Sequence, residues 1–203
     1  MKIICIELNY KTEIEALKLI LPDNPVFYLK ADSSILKNNK DFWLPTFSDD
    51  IQPSIEIIFK IGKLGKCIQA KFAHRYIDSI GLGIALTARD LQKTCMNKGL
   101  PWEISKSFDG SAIISEFIPY ESFTNINNIN FSLYKNEKLI QRSNTSDMIF
   151  NIFQIIEYIS KFMTLKIGDI IFTGTPSEVE KLNIGDNLTA FLENTKMIDM
   201  KIL

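Results

Sequence analysis

The sequence predicts an α+β fold built mainly of antiparallel strands. Three observations lead there. Apolar segments short enough to be strands recur along the whole chain. Only a few segments carry helical spacing. Strands and helices also do not alternate regularly enough for a doubly wound parallel sheet.

The elements follow in order. Lys2 to Leu8 reads as a first strand, because its single lysine is followed by an apolar run and then Glu7, with no small-residue cleavage site. Residues 11–20 make a short helix with Ile14, Leu17, Leu19 and Ile20 inward, ended by Leu21-Pro22. Pro25 to Lys30 is a second strand, and residues 31–50 are polar and rich in turns, with Trp43 exposed. From Ile55 to Ile61 the residues alternate: Ile55, Ile57, Phe59 and Ile61 on one face, Glu56, Ile58 and Lys60 on the other. Residues 68–78 read as helical.

Gly81 to Leu86 is a strand that leads into Thr87-Ala88-Arg89-Asp90, which has the form of a capping box opening a helix that ends at Gly99. Residues 112–119 are a strand ended by Pro119. A hairpin joins 129–134 to 138–143 through Lys135-Asn136-Glu137. Asn144-Thr145-Ser146 then caps a helix over 147–163, whose Met148, Ile149, Ile152, Phe153, Ile156, Ile159 and Met163 recur at three and four. Three strand-like segments, within 167–176, 184–193 and 197–203, close the chain.

Length and charge narrow the function. The 203 residues suit one domain, 1–203, with a sizeable core. A net charge of -1 gives no electrostatic footprint for nucleic acid, and no apolar run is long enough for a membrane span. Cys5, Cys67 and Cys95 lie far apart with no metal-type spacing and read as free thiols of a reducing cytoplasm. His74 is the one histidine, so the usual neutral-pH base is scarce. It sits away from the central block and reads as structural.

The central block, TARDLQ…GLPW…K-FDG between Thr87 and Gly110, resembles the fumarylacetoacetate hydrolase family. The resemblance continues through NYKTE at 9–13, PVFYLKAD at 25–32, FSDDI at 47–51, the strand at 55–66, NEKLIQRSNTSDMIF at 136–150, LKIGDIIFTGTP at 165–176 and LNIGDNL at 182–188. It implies the short form of the family: a β-roll or sandwich with outer helices, commonly a homodimer. It also implies divalent-metal chemistry on the carbon–carbon bonds of β-diketo and other 2-oxo acids. In that family Mg²⁺ or Mn²⁺ is held by Glu-x-Glu on a strand and by an Asp before the helix, and a His–Glu pair moves the proton.

Transferred position by position, that site is altered. The metal positions hold Ser54, Glu56 and Ala85; the His position holds Glu13, and its partner position holds Ala16. The glycine and basic residue that often precede NY are Glu7 and Leu8. Glu56 is either a surviving ligand or part of a solvated strand face shared with Lys60. Glu13 is a replacement base only if buried; at a polar helix start it reads as exposed. Lys106, Thr175, Arg89 and Gln92 remain as substrate contacts implied by the resemblance, although Arg89 and Asp90 also suit a helix cap and an ion pair. The Thr173-Gly174-Thr175-Pro176 turn can cradle an anion.

The expectation is a family member with metal binding weakened or lost and activity impaired. It would be a homodimer, or a heteromer with an active relative, holding a small oxo acid or other anion. The alternative is an active, Mg²⁺-dependent acylpyruvase, decarboxylase or isomerase with a site rebuilt around Glu56 and Glu13.

Overall fold

A computed structural model describes residues 1–37, 40–176 and 180–203, apart from the Leu17 side chain. The strands and helices are β1 (Ile3–Glu7), α1 (Lys11–Leu17), β2 (Val26–Lys30), β3 (Ile35–Leu36), β4 (Ile51–Ile61), β5 (Ile77–Ala88), α2 (Arg89–Lys98), α3 (Glu103–Lys106), β6 (Ala112–Ile114), β7 (Ile118–Pro119), β8 (Asn130–Lys135), β9 (Lys138–Asn144), α4 (Ile152–Phe162), β10 (Ile170–Phe172), β11 (Asn187–Leu192) and β12 (Thr195–Lys201).

The antiparallel ladder of β4 and β5 is the spine. It runs from Ile51 opposite Ala88 to Ile61 opposite Ile77. Around it an eight-stranded sheet has the order β2-β1-β10-β4-β5-β6-β3, with β7 also paired to β5. Among the strands of the described residues only the β1–β10 and β3–β6 pairs are parallel. A four-stranded antiparallel sheet, β12-β11-β8-β9, packs against it. The expected α+β, mainly antiparallel architecture is the one observed.

The alternation read in β4 sorts its residues between two cores. Ile55, Ile57, Phe59 and Ile61 join the main core between the two sheets and α4. Ile58 joins a smaller cluster on the opposite face with Ile3, Cys5, Ala85 and Phe172. With both faces covered, nearly all of β5 is buried, as its almost continuous apolar sequence requires. Gly83 is needed there: a Cβ at this position would lie 2.3 Å from Phe172 Cε1 and 2.7 Å from Ile58 Cγ2.

Several local expectations are corrected. Thr87 does not cap a helix. β5 runs through Ala88, which is the N-cap and makes no side-chain hydrogen bond. Asp90 instead accepts from Ser48 Oγ and the Asp49 N–H, tying the helix start to the preceding loop. Asn144 caps only a 3₁₀ turn, and α4 begins at a capping box formed by Asn151 and Gln154. The helical reading of 68–78 is a 3₁₀ stretch, Ala70–Tyr76, before β5. α1 stops at Lys18, whose φ of 54° is left-handed, and leaves Leu19 and Ile20 exposed; the expected inward side chain of Leu17 lies outside what is described.

The hairpin turn is as read. Asn136 and Glu137 take φ of 52° and 66°, the pair of positive angles that a two-residue hairpin turn of this hand needs. All three cysteines are free. Among the described residues no helix is long and apolar enough to cross a membrane.

Asn9, fully buried, joins distant parts of the chain. Its Nδ2 donates to the carbonyls of Phe150 and Thr173, its Oδ1 accepts from the Phe150 N–H, and its own carbonyl accepts from Ile149. The exit of β1, the start of α1, the loop before α4 and the turn after β10 are thereby held together.

Candidate functional site

On the face of the smaller core a narrow, partly open recess of about 20 Å³ lies where eight segments converge. The end of β1 brings Ile6 and Glu7, the first turn of α1 brings Glu13, and β2 brings Tyr28. Ser54 and Glu56 come from β4, Ala85 and Thr87 from β5, and Arg89 from the start of α2. Lys106 enters from the end of α3 and Thr175 from the turn after β10. Strand period explains part of this. Ser54 and Glu56 lie two apart on one face, and Ser54 sits directly across the ladder from Ala85.

Glu56 is buried, not on a solvated face, and so parts company with Lys60, which pairs with Asp78 at the other end of the strand. Its Oε2 accepts the Gly174 N–H at 2.7 Å. Gly174 can present that N–H because its φ is 91°, with Asn9 packed where a Cβ would be. Burial pushes the Glu56 carboxyl from 4.5 up to about 8; the Glu7 charge adds to this, and the Gly174 N–H, Lys106 and Lys30 oppose it.

Glu13 is the larger correction. It is not an exposed helix-start residue: its side chain turns into the recess, and its Oε2 is buried without a hydrogen-bond partner among the described residues. Burial, then the Glu7 charge, push it from 4.5 to about 7, against the pull of Lys106, Arg89 and a backbone hydrogen bond from Leu8. Ala16 and Glu15 are exposed and take no part. His74 is exposed on the 3₁₀ stretch, outside the recess, and so is not a core histidine.

Lys106 lies in the recess as expected, but it is occupied. Its Nζ is 2.6 Å from Glu7 Oε1 and lies over the rings of Tyr28 and Trp102, at 5.1 and 5.9 Å from their centroids. Arg89 donates from Nε to Gln52 and from Nη1 to Gln92 Oε1. Gln92 therefore acts through Arg89, not on the recess. Thr175 lines the recess and its Oγ1 accepts from Gln141 Nε2.

Sequence reasoning noted Glu7 only as a departure from a pattern and did not single out Lys30. The latter is buried, with its Nζ donating to the carbonyls of Leu86, Lys106 and Ser111. Burial lowers its pKa from 10.5 to about 8. The signal for it was its place in β2, two residues from Tyr28 on the same face. For Glu7 no local signal existed, since its partner is 99 residues away.

Whether these residues suit a divalent metal follows from the donors. Three glutamates line the recess, but Glu7 is spent on Lys106 and Glu56 on Gly174, and Ser54 and Ala85 offer no carboxylate. Among the described residues no three acidic, His or Cys side chains are grouped to hold an ion. Of the three glutamates only Glu13 has an oxygen buried without a partner among the described residues, so the donor set offers little carboxylate charge to hold and offset a divalent ion.

Known proteins resemble this chain over nearly its whole length. The oxaloacetate tautomerase FAHD1, mitochondrial, of Bos taurus is 33% identical over 200 residues, covering 98% of this chain and 90% of the relative. A structure of a putative fumarylacetoacetate hydrolase family protein from Yersinia pestis superposes with a TM-score of 0.95 at 33% identity, covering 100% of this chain and 93% of that one. Fumarylpyruvate hydrolase from Pseudomonas aeruginosa, solved in complex with Mn²⁺ and pyruvate, superposes at 0.94 with 25% identity, covering 100% and 89%. With the fumarylacetoacetate (FAA) hydrolase C-terminal model matching residues 2–202, the chain belongs to that family.

Proposed function

We propose that the protein is an active enzyme that moves a proton between the enol and keto forms of a small 2-oxo acid, with Glu13 as its acid–base group. The observation that carries this reading is the Glu13 carboxyl itself: in the recess, one oxygen buried and without a partner among the described residues, and poised at about 7. A proton-transfer group works best when its pKa lies near the working pH. Glu56, at about 8, shares the recess. Near pH 7.5 the pair therefore supplies one base and one acid, which is what relocating a proton from enol oxygen to carbon demands. Arg89 keeps donors free for the substrate carboxylate, since its recorded partners are two neutral glutamine oxygens.

The name of the Bos taurus relative supports this class of reaction. Ser54 and Ala85 alone would suit a copy stripped of activity, but a carboxyl with one oxygen buried and without a partner among the described residues is costly to keep without a use. No step is assigned to a metal, because the donor set does not fit one.

The test follows a 2-oxo acid by two readouts, decay of its enol absorbance and exchange of its C3 hydrogens for deuterium. The wild type should accelerate both, and Glu13→Gln should lower the rate by about 10²-fold or more. The rate should rise as Glu13 ionises through about 7 and fall as Glu56 loses its proton through about 8. A Glu13→Gln variant as fast as the wild type would overturn the assignment.

A further inference from the structure

Two cations line the recess, Lys106 and Arg89, and their electrostatic states are opposite. Lys106 is closed off. Its side chain is 7% exposed, its ammonium is 2.6 Å from Glu7 Oε1, and Tyr28 and Trp102 flank it. Its carbonyl is held as well, by Lys30 Nζ. Arg89 meets only the neutral oxygens of Gln52 and Gln92, and among the described residues no carboxylate pairs with it. The Gly174 N–H, another donor that could receive an anion, is already taken by Glu56.

We propose that Glu7 is a specificity-determining residue. It is a carboxylate of the protein's own, set where a ligand carboxylate would otherwise meet Lys106. Among the described residues lining the recess, Arg89 is then the one cation without an ion pair, with Glu13 near enough to feel its charge, and the recess accepts a 2-oxo acid with a single carboxylate and a neutral remainder. A second ligand carboxylate would find Lys106 occupied and would face Glu7 and Glu13 across a small recess. Like charges brought together this way disfavour the complex, and about tenfold discrimination or more is the expected result. The 2-oxo acid part of this assignment rests on the proposed function; the number of carboxylates rests on the ion pair alone.

Calorimetric titration with 2-oxopentanoate and 2-oxoglutarate tests it, because the two have the same chain length and differ in the terminal carboxylate. Wild-type protein should bind 2-oxopentanoate at least about tenfold more tightly. Glu7→Gln should move the ratio at least about tenfold towards 2-oxoglutarate by freeing Lys106, and Lys106→Met added to it should cancel the gain. Equal or tighter binding of 2-oxoglutarate by the wild type would overturn the proposal. So would an unchanged ratio in folded Glu7→Gln, or no saturable binding of either acid. Should Glu7→Gln fail to fold, the wild-type ratio still decides. The ratio is read without turnover, so an inert Glu13 leaves it intact, and an unchanged ratio leaves the proton-exchange result standing.

Discussion

Glu56 shows how one side chain couples chemistry to stability. Its carboxyl stays protonated up to about 8 in the folded chain, whereas an unfolded glutamate ionises at 4.5. The folded state therefore binds the extra proton between those values, and this contribution to stability is present in full below 4.5 and lost as pH rises through about 8. Each tenfold displacement of a proton equilibrium corresponds to about 1.4 kcal/mol. Glu56→Gln keeps the acceptor for Gly174 and removes the ionisation. It should stabilise the protein by about 2 kcal/mol or more at pH 8 and change little at pH 4.5, checked by urea denaturation at both pH values. Its enol–keto rate should fall even so. Greater wild-type stability at pH 8 would contradict the burial argument. None of this was legible locally. Alternation put Glu56 on the face opposite Ile55 and Ile57, but that this face also is buried depends on β2, α3 and the Gly174 turn closing over it.

Elements whose signals are local were read well, and those set by long-range contacts were not. β4 announced its two faces by alternation, and the hairpin was marked by Asn136-Glu137. Thr87, by contrast, has the chemistry of a cap, but pairing with β4 extends β5 one residue beyond it. α1 is the element where sequence and backbone agree least. Its chain reversal places Lys18 at φ 54°, with its N–H donating to the Glu15 carbonyl and the Leu19 N–H to the Ile14 carbonyl. A non-glycine residue in this conformation costs about 1–2 kcal/mol, and Lys18 is exposed. Lys18→Gly should thus stabilise the chain by about 1 kcal/mol, read as a rise in thermal midpoint of about 2–4 °C. A fall would mean that the lysine side chain contributes more than the strain it causes.

Across the whole molecule, scaffold and chemistry separate. The β4–β5 ladder keeps Ser54 and Ala85 opposed and Glu56 on the same face, and its pairing is made by backbone, although Ala85 also packs in the smaller core. Ser54→Glu combined with Ala85→Asp should therefore add donors beside Glu56 and confer Mn²⁺ binding at least about tenfold tighter than the wild type shows. Calorimetry checks this, and an unchanged affinity in a folded double variant would show that the ladder no longer holds the three positions within reach of one ion. The family's architecture was visible in the sequence because it is carried by turns, glycines and apolar period. Through the resemblance the positions of Glu13, Ser54, Glu56, Ala85, Arg89, Lys106 and Thr175 were visible as well, whereas the Glu7–Lys106 pair was not, because its two residues meet only after the chain has folded.

Asn9 gives the molecule a mechanical property of its own. One amide side chain fastens the segment leading to Glu13, the turn carrying Gly174 and Thr175, and the approach to α4. The wall of the recess and the segment carrying Glu13 are therefore tied to one side chain. A substitution at residues 148–150, outside the recess lining, should reach both through Asn9, which makes that loop a handle on the recess from outside it.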